Sequence, residues 1–217
     1  MKKGFFITID GPDGSGKSTQ AGGLSRHLRK KGYEVARTFE PGGTATGVKL
    51  RKLLLDPASV ISPTAELLLY EASRAQLVAE FIKPALSQGK VVLCERFYDA
   101  TCAYQGWGRG IDAGLINKLN LIATGGLVPD LTILLDIETG RALKRAIKAK
   151  KEYGAGIADR LEMEDIRFHE RVRRGFLAMA KKQPRRIKMV KVKGSIRETQ
   201  DEIRRVVDLF IPISKKP

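Results

Sequence analysis

The sequence predicts an α/β fold in which a five-stranded parallel sheet is flanked by helices on both faces. Two observations carry this. Short β-rich runs recur at residues 5–9, 34–39, 91–94, 131–135 and 187–192, and longer helical patterns separate them. Strands that alternate with helices pair in parallel, each helix acting as the crossover between one strand and the next. The first run also passes directly into Gly11-Pro12-Asp13-Gly14-Ser15-Gly16-Lys17-Ser18, a full G-x-x-x-x-G-K-[ST] match, which requires a strand before it and a helix after it.

Taken in order, the strand at 5–9 is followed by a helix at 17–31 that stops at Gly32. The strand at 34–39 ends in the turn-forming Glu40-Pro41-Gly42-Gly43-Thr44, and helices follow at 46–55 and 64–87, the second stopping before Gly89. After the strand at 91–94 comes a polar loop, Glu95-Arg96-Phe97-Tyr98-Asp99, and then a helix at 114–124. The strand at 131–135 leads to Asp136 and a helix at 139–150. Glycines make residues 152–158 a mobile loop between two basic helices, the second at 164–182. Ser195 before Ile-Arg-Glu opens a last helix at 195–210. Ligands of open parallel sheets gather beyond the carboxyl ends of the strands, where this chain places its glycine-rich and charged segments.

The bulk properties narrow the function. With 217 residues and 42% hydrophobic content the chain suits one well-packed domain. A net charge of +16 attracts polyanions: nucleic acid, acidic membrane or phosphorylated small molecules. The excess of Lys and Arg between 141 and 193 falls on helical apolar spacing and so belongs to folded elements. No nucleic-acid-binding module and no aromatic-interleaved basic stripe is present, so a nucleic-acid-binding ATPase is the weaker alternative and no nucleic-acid partner is expected. Cys94 and Cys102 cannot build a multi-bridge framework and fit a reducing compartment. Met-Lys-Lys-Gly leads straight into a short strand rather than a signal sequence, and no apolar run approaches the ~20 residues that span a bilayer. A cytoplasmic protein with no membrane partner is expected.

The loop at 11–18 carries the chemistry of phosphate binding. Gly11, Gly14 and Gly16 let successive backbone N–H groups and the start of the next helix point at an anion. Lys17 adds a mobile positive charge, and the Ser18 hydroxyl is placed to ligate the Mg²⁺ of a nucleoside triphosphate.

Four further segments extend this pattern: Glu40-Pro41-Gly42-Gly43-Thr44, Ser73-Arg74-Ala75-Gln76, Glu95-Arg96-Phe97 and Ala103-Tyr104-Gln105-Gly106. Together with the phosphate loop, and collinear over nearly the whole chain, they resemble the thymidylate kinase family. The resemblance implies a P-loop kinase fold with a mobile lid, a homodimer, and transfer of the γ-phosphoryl group of MgATP to dTMP. A different nucleotide or deoxynucleoside kinase of the same fold is the nearer alternative.

Phosphoryl transfer relies on positioning and charge stabilisation. The resemblance implies that Lys17 bridges the donor phosphates and the group in flight, while backbone amides from Asp13 to Thr19, with Gly11 and Pro12 shaping the loop, hold the β-phosphate. Arg51 and Arg96 would hold the dTMP phosphate; Arg96 directly follows a buried strand, and its planar fork suits bidentate contact. Asp13 would contact the deoxyribose or the metal. Glu95 would help hold Mg²⁺ or orient Arg96, and Glu40 would contribute to the acceptor site. Tyr70 and Arg74, one helical turn apart, share a face on which a ring and a guanidinium can meet thymine. Gln105 both donates and accepts, which suits the pyrimidine edge, and Tyr104 would favour deoxyribose.

The lid is expected over residues 145–160, with Arg145, Lys148, Lys150, Lys151 and Arg160 as its cations. The phosphate loop holds Ser15 and no arginine, so the chain resembles the bacterial-type arrangement with the catalytic arginine in the lid, either Arg145 or Arg160. Phe39 stands where many relatives have arginine, and Ser73 and Glu95 stand where aspartate is common.

Overall fold

The computed structural model describes residues 4–153 and 159–211, with the backbone alone for 150–153. Five strands, β1 (Phe5–Asp10), β2 (Val35–Phe39), β3 (Val91–Glu95), β4 (Leu131–Asp136) and β5 (Ile187–Lys191), form one parallel sheet in the order β2-β3-β1-β4-β5. Central β1 pairs with both neighbours, Ile7 lying opposite Leu93 on one side and Leu131 on the other.

The helices are α1 (Lys17–Lys30), α2 (Ala45–Leu55), α3 (Pro63–Leu77), α4 (Lys83–Ser87), α5 (Tyr98–Thr101), α6 (Ala113–Thr124), α7 (Thr139–Tyr153), α8 (Ile166–Lys182) and α9 (Ile196–Phe210). Side chains alternate across β1. Ile7 and Ile9 pack with Leu24 and Leu28 of α1 and Ile203 and Val207 of α9, all buried. Phe6 turns to the other face and meets Leu77, Ile82 and Phe97. A third cluster, built on Tyr104, Phe168, Val172 and Phe176, seats α8 beside the segment after α5. Each fully buried Leu, Ile or Phe contributes about 1.5–3 kcal/mol of transfer free energy, which makes these clusters the frame that holds the strand ends in place.

The five strands lie where the sequence places them, to within a residue at either end. Three other segments differ. The helix expected over 64–87 is α3, a π-helical turn at Val78–Ile82, and α4. Pro84 is the physical reason: it has no N–H to donate and its ring crowds the preceding turn, and a widened turn just before it absorbs both. Residues 98–108, outside every expected helix, are helical, α5 running into a second π-helical segment, Cys102–Gly108. That segment packs tightly because Gly108 has no side chain; a Cβ there would come within 2.6 Å of the Phe168 ring. Helix α7 continues to Tyr153, past the loop start expected at 152; residues 154–158 lie outside the described residues. Among the described residues no helix is long and apolar enough to cross a membrane.

Candidate active site

Because β3 lies between β2 and β1, the loops after these three strands are neighbours at one sheet edge. The loop after β1 wraps toward α1. Gly14 has φ +77°, a left-handed conformation that costs other residues energy, and a Cβ on it would collide with the carbonyl of Ala142 in α7. This close approach brings α7 over the phosphate loop. Arg145, one turn further along α7, lines the same cavity as Gly14, Gly16, Lys17, Ser18, Thr19 and Glu95. Lys17 Nζ donates to the carbonyls of Gly11 (3.1 Å) and Pro12 (2.8 Å), and the Ser18 hydroxyl donates to Glu95 Oε2 at 2.6 Å. Glu95 also accepts from Arg37 at 3.2 Å. Burial, reinforced by Arg96, pulls the Lys17 ammonium down to about 8.

Arg96 is the one non-glycine among the described residues with positive φ, at 67°. Such a backbone costs about 1–3 kcal/mol and persists only where its surroundings impose it. Here its N–H donates to Ile9 (3.0 Å), and its guanidinium donates to the Gly11 carbonyl (3.1 Å), Asp13 (2.6 Å) and the Tyr104 hydroxyl (3.0 Å). Tyr104 in turn donates to the other Asp13 oxygen at 2.8 Å. Burial pushes the Asp13 carboxyl up, but Arg96 and Lys17 outweigh it and hold the group well below the usual carboxylate range.

A second cavity opens between α3 and the 98–108 helix. It is lined by Tyr70, Arg74, Phe97, Tyr104 and Gln105, with Leu55, Asp159 and Leu161 closing its far side. Tyr70 and Arg74 share a face of α3, as their spacing predicts. Arg74 is only 1% exposed, and its donors are largely committed: Nε to Glu40, Nη1 to Glu71 and Asn120, Nη2 to Thr101, all at 2.8–2.9 Å. Glu40 keeps its second oxygen unpartnered, and burial, only partly offset by Arg74, raises it to about 7. Gln105 donates through Nε2 to the buried Glu66. Arg51 donates to the Pro41 carbonyl at 3.0 Å and lies over the Phe39 ring, 5.4 Å from its centroid. Ser73 accepts from the Gly42 N–H at 3.2 Å and so braces the turn after β2.

The two cavities meet. Asp13, Glu40, Arg51 and Arg96 line both and form a shared wall. Arg145 and Arg160, equivalent in the sequence, part company: Arg145 lines the phosphate-loop cavity, whereas Arg160 donates to the Leu54 carbonyl (3.1 Å) and pairs with Glu66 (2.6 Å). The side chains of Lys150 and Lys151 lie outside the described residues. Asp136, at the end of β4, is bound by Arg173 at 2.7 and 3.2 Å.

Several residues of the site carry no mark in the sequence. Glu66, Glu71 and Asp159 line it or hold its members, whereas Phe97, which also lines it, belongs to the Glu95-Arg96-Phe97 segment. Asp10, at the end of β1, is fully buried with neither carboxylate oxygen hydrogen-bonded; burial, with Asp99, raises it to about 7 against Arg96 and Lys17.

A family model described as thymidylate kinase matches residues 9–203. The chain is 49% identical to a thymidylate kinase of Gloeobacter violaceus over 95% of its length and 96% of that protein. It is 48% identical to a thymidylate kinase of Deinococcus radiodurans over 86% of its length and 87% of that protein. A crystal structure of thymidylate kinase from Ehrlichia chaffeensis superposes with a TM-score of 0.77 at 34% identity, covering 95% of this chain and 99% of that one.

Proposed function

The chain belongs to the thymidylate kinase family, and from that membership we propose how its own residues, in a single domain, run the reaction in which ATP phosphorylates dTMP to dTDP. The observation that carries the assignment of sites is the wall of Asp13, Glu40, Arg51 and Arg96 common to both cavities. An acceptor phosphate and a donor triphosphate must meet, and two anions meet where fixed cations offset their repulsion. The triphosphate takes the phosphate-loop cavity and dTMP the cavity beside α3, so that Arg96 and Arg51 lie between them.

In this reading Lys17 leaves its own loop carbonyls for the donor phosphates, and Arg145 approaches the same phosphates from α7. Asp13 and Tyr104 hold the Arg96 fork in one orientation, and the Asp13 carboxylate stays ionised throughout. Phe97 and Tyr70 supply apolar and aromatic surface for the base, with Arg74 and Gln105 as its polar partners. Ser18 Oγ and Glu95 Oε2, 2.6 Å apart, are hard oxygen donors on the edge of the loop. Among the described residues no three or more His, Cys, Asp or Glu are grouped so as to hold a metal ion by themselves. Such a sparse set suits Mg²⁺, which keeps water and phosphate oxygens as most of its ligands. Ser18 and Glu95 would hold that ion, which supplies neutralising charge to the phosphates.

An ADP-release assay across dTMP, dUMP, dCMP, UMP and GMP tests the reading; dTMP is expected to give the highest kcat/KM, and a preference for UMP or a purine overturns it. A homodimer is part of the same proposal. It is supported by exposed apolar residues on three helices packed side by side, Leu53 on α2, Leu68 on α3, and Leu121 and Ile122 on α6. Sedimentation velocity is expected to give twice the chain mass of 24.0 kDa, and a monomer at micromolar concentration overturns it.

A further inference from the structure

The fully buried Glu66 is a heavily bonded carboxylate beside the base cavity, yet it does not line that cavity. It sits in the first turn of α3 and accepts from Gln105 Nε2 at 2.8 Å, from Arg109 Nε and Nη2 at 3.2 and 3.1 Å, and from Arg160 Nη1 at 2.6 Å. Each arginine is itself tied down. Arg109 pairs with Glu164 at 2.6 Å and lies over the Phe168 ring, while Arg160 donates to the Leu54 carbonyl. Burial pushes Glu66 up, but the bonds from Arg109 and Gln105 outweigh it and hold the carboxyl below its ordinary range.

We propose that Glu66 is a specificity-determining positioning residue: by holding the Gln105 amide through its NH₂ group, it presents only the amide oxygen to the base and so selects pyrimidines that carry N3–H over cytosine. The inference rests on the reading that Gln105 meets the base edge.

The chemistry is one of donors and acceptors. A glutamine amide is nearly symmetric in shape, and a half-turn exchanges its donor end for its acceptor end. Gln105 alone could therefore serve a base with N3–H, such as thymine, or a base with a lone pair at N3, such as cytosine. An ionised carboxylate can only accept. Facing Glu66, Gln105 must offer Nε2, and a half-turn would set its oxygen against a buried negative charge. Gln105 Oε1 has no hydrogen bond to the described residues, and Gln105 lines the cavity. Thymine and uracil meet this oxygen with N3–H; cytosine meets it with a lone pair, and two facing acceptors leave both unpaired. Arg109 and Arg160 keep Glu66 charged, and a protonated Glu66 would have a proton to donate and would free the amide to turn.

The test compares kcat/KM for dTMP and 5-methyl-dCMP, which differ only along the N3 and C4 edge. Gln105→Ala is expected to lower the dTMP preference by about 10-fold or more, the scale set by one buried hydrogen bond and its unpaired counterpart. An unchanged ratio there would mean that Gln105 does not meet the base, and the reading beneath the inference would fail. Glu66→Gln is expected to lower the ratio by a similar factor. The exchange Glu66→Gln/Gln105→Glu puts an obligate acceptor back against the base and is expected to restore the ratio to within about threefold of the starting protein, well inside the tenfold effect of one hydrogen bond. If Gln105→Ala lowers the ratio but a folded Glu66→Gln slows both substrates equally, Glu66 is merely structural and the inference is overturned, while the base-edge reading stands. Should Glu66→Gln not fold, the unsubstituted protein still decides by NMR. The Gln105 side-chain NH₂ signals, assigned by their loss in Gln105→Ala, are expected to be protected from solvent exchange without nucleotide, and rapid exchange overturns the proposal.

Discussion

Lys17→Ala lowers kcat by about 10²–10³-fold, the usual scale for removing one transition-state charge partner, and leaves the fold intact. The kinetic loss falls on kcat because the ammonium follows charge as it moves from the donor toward the acceptor. The side chain is 11% exposed, and its bonds go to carbonyls of its own loop, so no distant element depends on it. Its folded pKa of about 8, below the ordinary lysine value of 10.5, fixes the sign of the stability effect. A base with a lowered folded pKa carries its full penalty below pH 8, and the penalty fades as pH rises from 8 to 10.5. Removing Lys17 therefore leaves Tm at pH 7 unchanged or higher, with a smaller gain at pH 10. Steady-state kinetics with paired thermal melts check both parts; an unchanged kcat, or a Tm that collapses, refutes them.

Arg96→Ala lowers kcat/KM for dTMP by about 10³-fold or more, the range seen when an arginine that stabilises a moving phosphoryl group is lost. Unlike Lys17, it also carries structure. Its guanidinium joins the Gly11 carbonyl, Asp13 and Tyr104, so its loss leaves Asp13 facing burial with the Lys17 charge and the Tyr104 hydroxyl bond alone to hold it ionised. Arg96→Lys keeps the charge but not the fork, and is expected to recover only a small part of the activity. The pH dependence follows. Asp13, with its pKa held down, stabilises the fold above its unfolded pKa, and that contribution is lost as pH falls through the folded value. With Arg96 gone the Asp13 pKa rises, the contribution shrinks, and the acid unfolding midpoint moves to higher pH. An acid titration of both proteins by circular dichroism decides this; coincident curves would show that Arg96 does not hold Asp13 ionised.

These two residues are legible in the sequence because their signals are local. Lys17 sits in a motif whose eight positions are contiguous, and Arg96 follows an apolar strand where open sheets place their ligands. Glu66 is not legible there: in the first turn of α3 it is indistinguishable from the many exposed acids that favour helix N-termini. Nor does the sequence separate Arg145 from Arg160, since both lie in a basic stretch and differ only in what they meet. Asp99 likewise reads as one more polar residue of a strand-end loop. In the fold it is buried, bound by Arg186 at 2.7 and 2.8 Å and by Thr132 at 3.2 Å, and it helps raise Asp10.

Strand period, turn chemistry and motif spacing act between near neighbours in the chain, so the amino-acid order is enough to specify the parallel α/β sheet, the phosphate loop and the residue types gathered at its edge. The partners are another matter, and they are settled by packing: Glu66 with Gln105, 39 positions away, and Arg160 with Leu54, 106 positions away. Hydrogen bonds and charge pairing depend on distances of a few ångströms in space. Chain spacing does not encode those distances, and so the orientation of an amide at the base cavity becomes visible only once α3 and the 98–108 helix have packed.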